Sequence, residues 1–532
     1  MKRMLLGMLM LCAEAGAKER WVYAPANYQV DAQADRIIAL MQRAKSSGYT
    51  HLLITDSKFA RIPTLPERYF KNAERVKTTA AECGITLVPA LFGVGYSNDL
   101  LSNDPNLAEG LPVKDALFIV KDDIAAHIPE PQVHLADPSF NDRKRWSFID
   151  DSLRSESGTL VSGPVKENAR FSQKLKLSPF RQYHIRIEIR TEQFGVGKPE
   201  IKVIAGKQQL QYTSLKVQPT QDWTVHDVTF NSLAHTDAQL YIGIWGGHHG
   251  SISYRRPMIE EAGLINVIRR PGAPFVVRTD DGRVLKEGHD YERVVCHELG
   301  TVPYAGEYVP WHGALTLQMK SIEDGARLRV SYYHPHIIYE GQVCACVSEP
   351  GFMRLLDRQA ADVHRLWNAR SYMMQHDEWR VLNWCAACTS RSLTPGQIAA
   401  DNVRQCQSIL KRINPGGRIL VWSDMFDPHH NAVPGPYYLV NGPLTDSWLG
   451  LDKETVIVNW NSGKAEQSLR FFAERGHAQI IAAYYDGPLE NTHRWLEKTK
   501  GVPNVLGVMY TTWHQDYSQL EAFAKLLDEL GF

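Results

Sequence analysis

The sequence predicts an α/β protein, a (β/α)8 barrel interrupted by an inserted β-sandwich and a second β-rich segment. Three observations carry this. Strand-like and helix-like segments alternate up to residue 132 and again from residue 348, the grammar of a parallel sheet. Three such strands lie before the break and five after it, the number that closes a barrel. Between them the helical period disappears and period-2 alternation replaces it.

The first strand is read at residues 21–24. Ile37, Leu40, Met41 and Ala44 then recur at helical spacing, and Gly48 stops that helix. A buried-type strand at 51–55 ends at Asp56, a second helix runs to Cys83 and stops at Gly84, and the third strand covers 86–92. After the break, strands are read at 372–376, 419–422, 456–460, 480–484 and 506–510, with helices between them. One helix presents Ala399, Val403, Cys406, Leu410 and Ile413 on a face, another Ala465, Leu469 and Phe472, and the last Leu520, Phe523, Leu527 and Leu530.

The interruption is read as two units. Ile185, Ile187 and Ile189 alternate with charged residues, and strands at 171–177, 201–204, 224–230 and 240–245 follow the same period, which predicts an antiparallel sandwich over 133–262. A second β-rich unit spans 263–347, with the turn Asp281-Gly282 and a strand at 328–333. The barrel then occupies 18–132 and 348–532.

Composition narrows the partners. Lys+Arg and Asp+Glu are both 59, so no basic field points to nucleic acid. The 13 Trp and 22 Tyr suit the apolar faces of sugar rings as well as a core. Residues 1–17 read as an export signal, with Lys2 and Arg3, a short apolar run and the cleavage-type Ala15-Gly16-Ala17, and this places the protein outside the cytoplasm. No other stretch reads as a membrane span. Eight cysteines are too few for a disulfide scaffold. Cys385-Ala-Ala-Cys388 lacks the second pair of a zinc ribbon, and Cys344 and Cys346 are too close together in one strand to supply it, so the motif reads as structural, a local disulfide. No cofactor or metal is expected, and the oligomeric state is not encoded legibly.

In a barrel of this kind chemistry sits at the C-terminal ends of the strands. The fourth strand ends at Asp377-Glu378 and the fifth at Trp422-Ser423-Asp424. The sixth ends at Asn459-Trp460, the seventh at Tyr484-Tyr485-Asp486 and the eighth at Trp513-His514-Gln515. This ordered set resembles the catalytic barrel of glycoside hydrolase family 20, the β-N-acetylhexosaminidases and their relatives. The resemblance covers residues 21–98 and 370–532 and leaves out the β-rich insert.

The resemblance implies a retaining, substrate-assisted hydrolysis of β-linked N-acetylhexosamine in a glycan. Adjacent residues of a strand point to opposite faces, so Asp377 and Glu378 are poorly placed to flank one bond as a two-carboxylate pair, and the assisted route removes that difficulty. It makes Glu378 the general acid and base, and Asp377 the carboxylate that holds the acetamido N–H. Tyr484 becomes the donor to the acetamido oxygen, Trp422, Trp460 and Trp513 the walls, and Asp486 a hydroxyl ligand. Two departures stand out. The arginine that the family carries at the end of strand one is replaced by Ala24-Pro25-Ala26-Asn27, and its strand-eight glutamate by Gln515. Asp56 and Lys58 are the candidates to complete the altered clamp, and the change favours N-acetylgalactosamine over N-acetylglucosamine. Two other readings compete. One is a metal-dependent barrel hydrolase using Asp427, His429, His430 and His514 with His376 and Asp377. The other is a non-catalytic carbohydrate-binding protein whose sandwich resembles a carbohydrate-binding module.

Overall fold

The computed structural model describes residues 18–532, and the expected export signal at 1–17 lies outside them. Eight strands close into a barrel: β1 (Glu19–Pro25), β2 (His51–Thr55), β3 (Thr86–Leu91), β4 (Ser371–Met374), β5 (Arg418–Trp422), β6 (Val456–Asn459), β7 (Gln479–Tyr484) and β8 (Val505–Thr511). Neighbouring strands run parallel, and β8 returns to β1 through Trp21↔Met509. The strands on either side of the interruption are direct neighbours, pairing Met373↔Ala90 and Met374↔Leu91.

Alternation along each strand divides two cores. Trp21, Leu53, Val88, Met373, Leu420, Val458, Ile480 and Met509 fill the barrel interior. Val22, Ile54, Tyr372, Val421 and Ile481, one residue out of phase, face the helices. Those helices are α1 (Asp31–Ser46), α2 (Glu67–Cys83), α3 (Pro350–Trp367), α4 (Pro395–Ile413), α5 (Ala465–Glu474), α6 (Leu489–Thr499) and α7 (Leu520–Leu530). The sequence sets their ends. Thr394 and Gln397 form a capping box at the start of α4, a device worth about 1 kcal/mol, with Pro395 at its first position. Gly84 closes α2 in the left-handed region, φ 65°.

The crossover from β5 to β6 departs from the expected alternation. In place of a helix it carries the 3-10 turns Asp424–Phe426 and Ser447–Gly450 and the two-residue strand Leu439–Val440, which pairs with Val381–Leu382. Pro428, Pro434, Pro436 and Pro443, with Gly435 and Gly442, leave no uninterrupted stretch for a helix. The second turn is laid tightly against α4, where Gln407 Nε2 donates to the Gly450 carbonyl at 2.9 Å.

The insert is β-rich as expected, but its boundaries differ. Gly110–Lys121 and Ile124–His127, assigned above to the barrel half ending at 132, belong to a five-stranded sheet with Val276–Thr279, Leu317–Gln318 and Arg327–Pro335. The sandwich, two five-stranded antiparallel sheets between Phe148 and Glu261, is therefore nested inside this sheet domain rather than placed before it. Gly110–Lys121 pairs with the adjacent Ile124–His127 on one side, but its partner on the other, Arg327–Pro335, is remote in sequence, so short-range patterning could not show it. The outgoing and returning chains pair at a neck, with Glu109 N–H donating to the Cys344 carbonyl at 2.8 Å and Cys346 N–H to that of Leu107 at 2.8 Å. Cys385 and Cys388 are not the expected local disulfide; both are buried free thiols beside Cys346. Among the described residues no helix is long and apolar enough to cross a membrane.

Candidate active site

A cavity of about 610 Å³ opens at the C-terminal mouth of the barrel, and Asp377, Glu378, Trp422, Trp460 and Trp513 all line it. The ladder of β4 stops at Met374. Strict alternation beyond it would turn Glu378 away from Asp377. Instead Glu378 takes a left-handed backbone, φ 45°, and both carboxylates face the same cavity. The turn is held from two sides. Asp424 accepts from the Glu378 N–H at 2.8 Å, and Gln342 of the returning insert donates to the Glu378 carbonyl at 2.8 Å.

The Glu378 carboxylate is already engaged. Arg380 Nη2 lies 2.8 Å from Oε1, and the Tyr96 hydroxyl donates to Oε2. Arg380 is itself buried and is fixed by the Tyr96 hydroxyl at 3.0 Å, Gln342 Oε1 at 2.6 Å and the ring of Tyr339, 4.6 Å from its guanidinium carbon. Asp377 is governed by burial and by its neighbours. Desolvation, then the Asp424 and Glu378 carboxylates, push it up to about 8, which favours its protonated form. Asp424, fully buried, is also raised, mainly by desolvation, and accepts from Trp460 Nε1 at 3.1 Å and Asn431 Nδ2 at 3.0 Å.

The aromatic wall assembles as the strand ends imply. Trp513 packs 6.0 Å from Trp422 and 6.5 Å from Trp460, and Tyr23 of β1 joins at 5.4 Å from Trp513. The expected Tyr484 is absent from it. Its ring stacks on Tyr510 at 4.3 Å and meets Phe523 of α7, on the helix side of the barrel. Tyr485 takes the place, stacked on Trp460 at 6.0 Å and edge-on to Trp513 at 5.6 Å. Its hydroxyl is buried beside Trp513, and the Asp424, Glu378 and Asp377 carboxylates add to the burial that raises its pKa. The cause is backbone geometry. Ile480 and Ala482 point inward, and continued alternation would bring Tyr484 inward too, but Tyr484, Tyr485 and Asp486 all have positive φ (85°, 59°, 55°) and break the parity.

The expected hydroxyl clamp is not in the cavity. Asp56 caps a 3-10 turn, accepting from the Lys58 N–H at 2.9 Å and the Tyr28 N–H at 3.0 Å, while Lys58 Nζ donates to Ser57. Asp486 is consumed in holding the end of β8, where it accepts from Thr512 Oγ1 and from the Trp513 N–H at 2.7 Å. Gln515, with φ 58°, lies on the exposed side, and His514 lines the cavity instead. Polar groups do surround the mouth: Thr55 and Gln375 of the barrel, and Lys198 and Glu340 of the insert, paired at 2.7 Å.

Sequence reasoning passed over Asp424, Tyr485, Tyr96 and Arg380 as site residues. Asp424 shares the parity of the inward Trp422, a usable signal. Arg380 stands in the same short stretch as the carboxylates. Nothing local distinguishes Tyr96, which arrives from the loop after β3. The imidazoles of the competing metal reading do not converge. His376 is buried, donating to Asn402 Oδ1 at 3.0 Å, His429 packs on Phe471, and His430 packs on Trp460. The clusters able to hold a metal among the described residues lie elsewhere.

No family model and no curated protein matches the sequence. Among solved structures, a β-N-acetylhexosaminidase from Bacteroides fragilis NCTC 9343 shares 10% identity over 96% of this chain and 66% of its own, with a TM-score of 0.41. A chitobiase from Flavobacterium johnsoniae shares 10% over 97% and 52%, with a TM-score of 0.39. A rhamnosidase from Novosphingobium sp. PP1Y shares 10% or less, at 9%, over 98% and 59%, with a TM-score of 0.36. The chain thus spans about half to two thirds of the length of these proteins. Likeness at this level assigns no role to any residue here. A glycoside hydrolase family 20 β-N-acetylglucosaminidase is a further solved structure to which the chain is similar, at 9% identity over 96% of this chain and 68% of its own, with a TM-score of 0.37.

Proposed function

We propose that this protein is a glycoside hydrolase that removes β-linked N-acetylhexosamine from glycans by a retaining, substrate-assisted route. The observation that supports it best is the opening of Asp377 and Glu378 onto one cavity walled by Trp422, Trp460 and Trp513. In this reading the acetamido carbonyl oxygen of the sugar attacks the anomeric carbon as the glycosidic C–O bond breaks. Glu378 gives its proton to the departing oxygen. Asp377 gives its proton to water as the substrate binds, and the resulting carboxylate accepts the acetamido N–H and faces the positive charge of the oxazolinium. The hydroxyl of Tyr485, whose ring packs on Trp460 and Trp513, rather than that of Tyr484, donates to the acetamido oxygen. Water then attacks the anomeric carbon, returns a proton to Glu378 and releases the sugar.

A second assignment is favoured by the proton that Asp377 keeps and by the guanidinium on Glu378. Here Asp377 is the donor to the leaving group and Glu378 the anion. The two assignments separate by leaving group. Whichever residue is the acid, its amide variant loses most on poor leaving groups and least on good ones.

The finer preference for N-acetylgalactosamine rests on the altered clamp, with Lys198, Glu340 and His514 at the mouth in place of the family's arginine and glutamate. The test is a paired rate measurement on nitrophenyl β-glycosides, 2-acetamido and 2-hydroxy, galacto and gluco, each with and without chelator. Comparable rates on 2-hydroxy sugars would sink the assisted route, and no turnover with retained sugar binding would favour a carbohydrate-binding protein.

A further inference from the structure

Beneath the catalytic loop, four side chains converge that the proposed chemistry does not use. Glu109, Cys346, Cys385 and Cys388 are all buried, and one ligand atom from each lies within 4.8 Å of every other. Cys346 Sγ is 3.3 Å from Cys385 Sγ and 3.5 Å from Cys388 Sγ. Glu109 Oε2 is 3.4 Å from Cys385 Sγ and 3.3 Å from Cys388 Sγ. We propose that these residues form a Cys3Glu site for a single structural zinc ion.

The geometry is that of a tetrahedral donor set. Bonds of about 2.3 Å to sulfur and about 2.0 Å to oxygen put neighbouring sulfurs about 3.8 Å apart and sulfur and oxygen about 3.5 Å apart. The observed separations are close to these and slightly contracted. Three sulfurs crowd one point, whereas a disulfide would join two and leave the third aside. Their closeness leaves room for one ion and not for an iron–sulfur cluster. Thiolate-rich tetrahedral sets select zinc among the common divalent ions.

The surroundings orient the donors. Glu109 Oε1 is occupied by the Trp384 N–H at 2.7 Å and the Cys385 N–H at 2.9 Å, which leaves Oε2 turned toward the sulfurs. Cys388 Sγ also has Ser348 Oγ at 3.3 Å. Arg270, whose side chain is 5% exposed, pairs with Glu349, donates to the Ala108 carbonyl at 3.0 Å and the Asn106 carbonyl at 2.7 Å, and adds a positive charge beside the three sulfurs and the Glu109 carboxylate.

The location supplies the role. Glu109 stands on the outgoing strand of the neck and Cys346 on the returning one, where Ala108 and Ala345 form an antiparallel bridge. Cys385 is the N-cap of the short helix Ala386–Thr389 and Cys388 lies within it, on the segment that follows Asp377, Glu378 and Arg380. One ion would tie both ends of the insert to the loop that carries the carboxylates.

The experiment is native mass spectrometry and elemental analysis of the full-length wild-type chain, purified without chelator from zinc-supplemented medium. One zinc per chain is expected, lost on treatment with an organomercurial and absent from the Cys385→Ser/Cys388→Ser variant. Glu109→Cys should retain the metal through a fourth thiolate, which guards against a serine variant that merely misfolds. Wild-type protein without zinc would overturn the proposal, whether its thiols are all free, its mass is two hydrogens lighter as for a disulfide, or it carries iron instead.

Discussion

The carbonyl oxygen of Asp377 occupies the space that a side chain at Gly95 would need: a Cβ at Gly95 would lie 2.0 Å from it. The loop after β3 thus packs its bare backbone against the turn that carries both carboxylates. Gly95→Ala should push that turn aside. A displacement near 1 Å at reacting groups costs about 10²-fold in rate, and a forced core contact about 1–3 kcal/mol. Turnover with an unchanged KM for good and poor leaving groups alike, and an unchanged melting temperature, would show that the contact does not constrain the site.

The tyrosine doublet offers a sharp pair of variants. Tyr485→Phe should lower kcat by roughly 10²-fold, the low end for losing a donor to a developing charge. Tyr484→Phe should leave kcat nearly unchanged, because its ring packs on Tyr510 and Phe523. Steady-state kinetics on a 2-acetamido substrate check both, and the reverse pattern would restore Tyr484 as the donor.

Glu378→Gln should cost on the order of 10²–10⁴ in turnover on poor leaving groups if Glu378 is the general acid, and less on nitrophenolates. The same two substrates applied to Asp377→Asn decide between the assignments. A leaving-group dependence confined to the Asp377 variant would give that residue the proton transfer.

Asp377 also predicts a pH dependence of stability. Its carboxyl is raised in the fold from the ordinary 3.8 to about 8, so between these values the folded chain holds a proton that the unfolded chain releases. Its contribution is therefore fully present below about 3.8 and lost as pH rises to about 8. Asp377→Asn cannot ionise, so its melting temperature relative to wild type should rise steadily over that window and level off above it. A difference that is flat with pH would mean that Asp377 is ionised in the fold.

Asp486 is a strut, accepting from Thr512 Oγ1 and the Trp513 N–H. Asp486→Ala should leave those donors unpaired, at about 1–3 kcal/mol, and loosen Trp513 in the wall. The expected result is a lower melting temperature with a raised KM. A loss of affinity confined to one hydroxyl-bearing sugar series, with full stability, would instead make Asp486 a sugar ligand.

Much of this was legible in the sequence by itself. Apolar runs alternating with amphipathic helices fixed the eight strands, and period-2 residues such as Ile185, Ile187 and Ile189 set the insert apart, because burial on one face is a local periodic property. The same periodicity placed Asp377, Glu378, Trp422, Trp460 and Trp513 at strand ends, and the fold brought them to one cavity. What only the tertiary structure decided lies where that periodicity stops. Positive φ at Glu378 and from Tyr484 to Asp486 reversed the expected direction of side chains, and backbone strain of this kind is held by distant contacts, from Gln342 and Asp424 in the case of Glu378. Asp56 and Asp486 accept from backbone N–H groups, Asp56 from those of Lys58 and the remote Tyr28 and Asp486 from that of Trp513, and no local sequence pattern records the two long-range contacts. The convergence of Glu109 and Cys346 on Cys385 and Cys388 depends on closing a loop of more than two hundred residues, which no local pattern records.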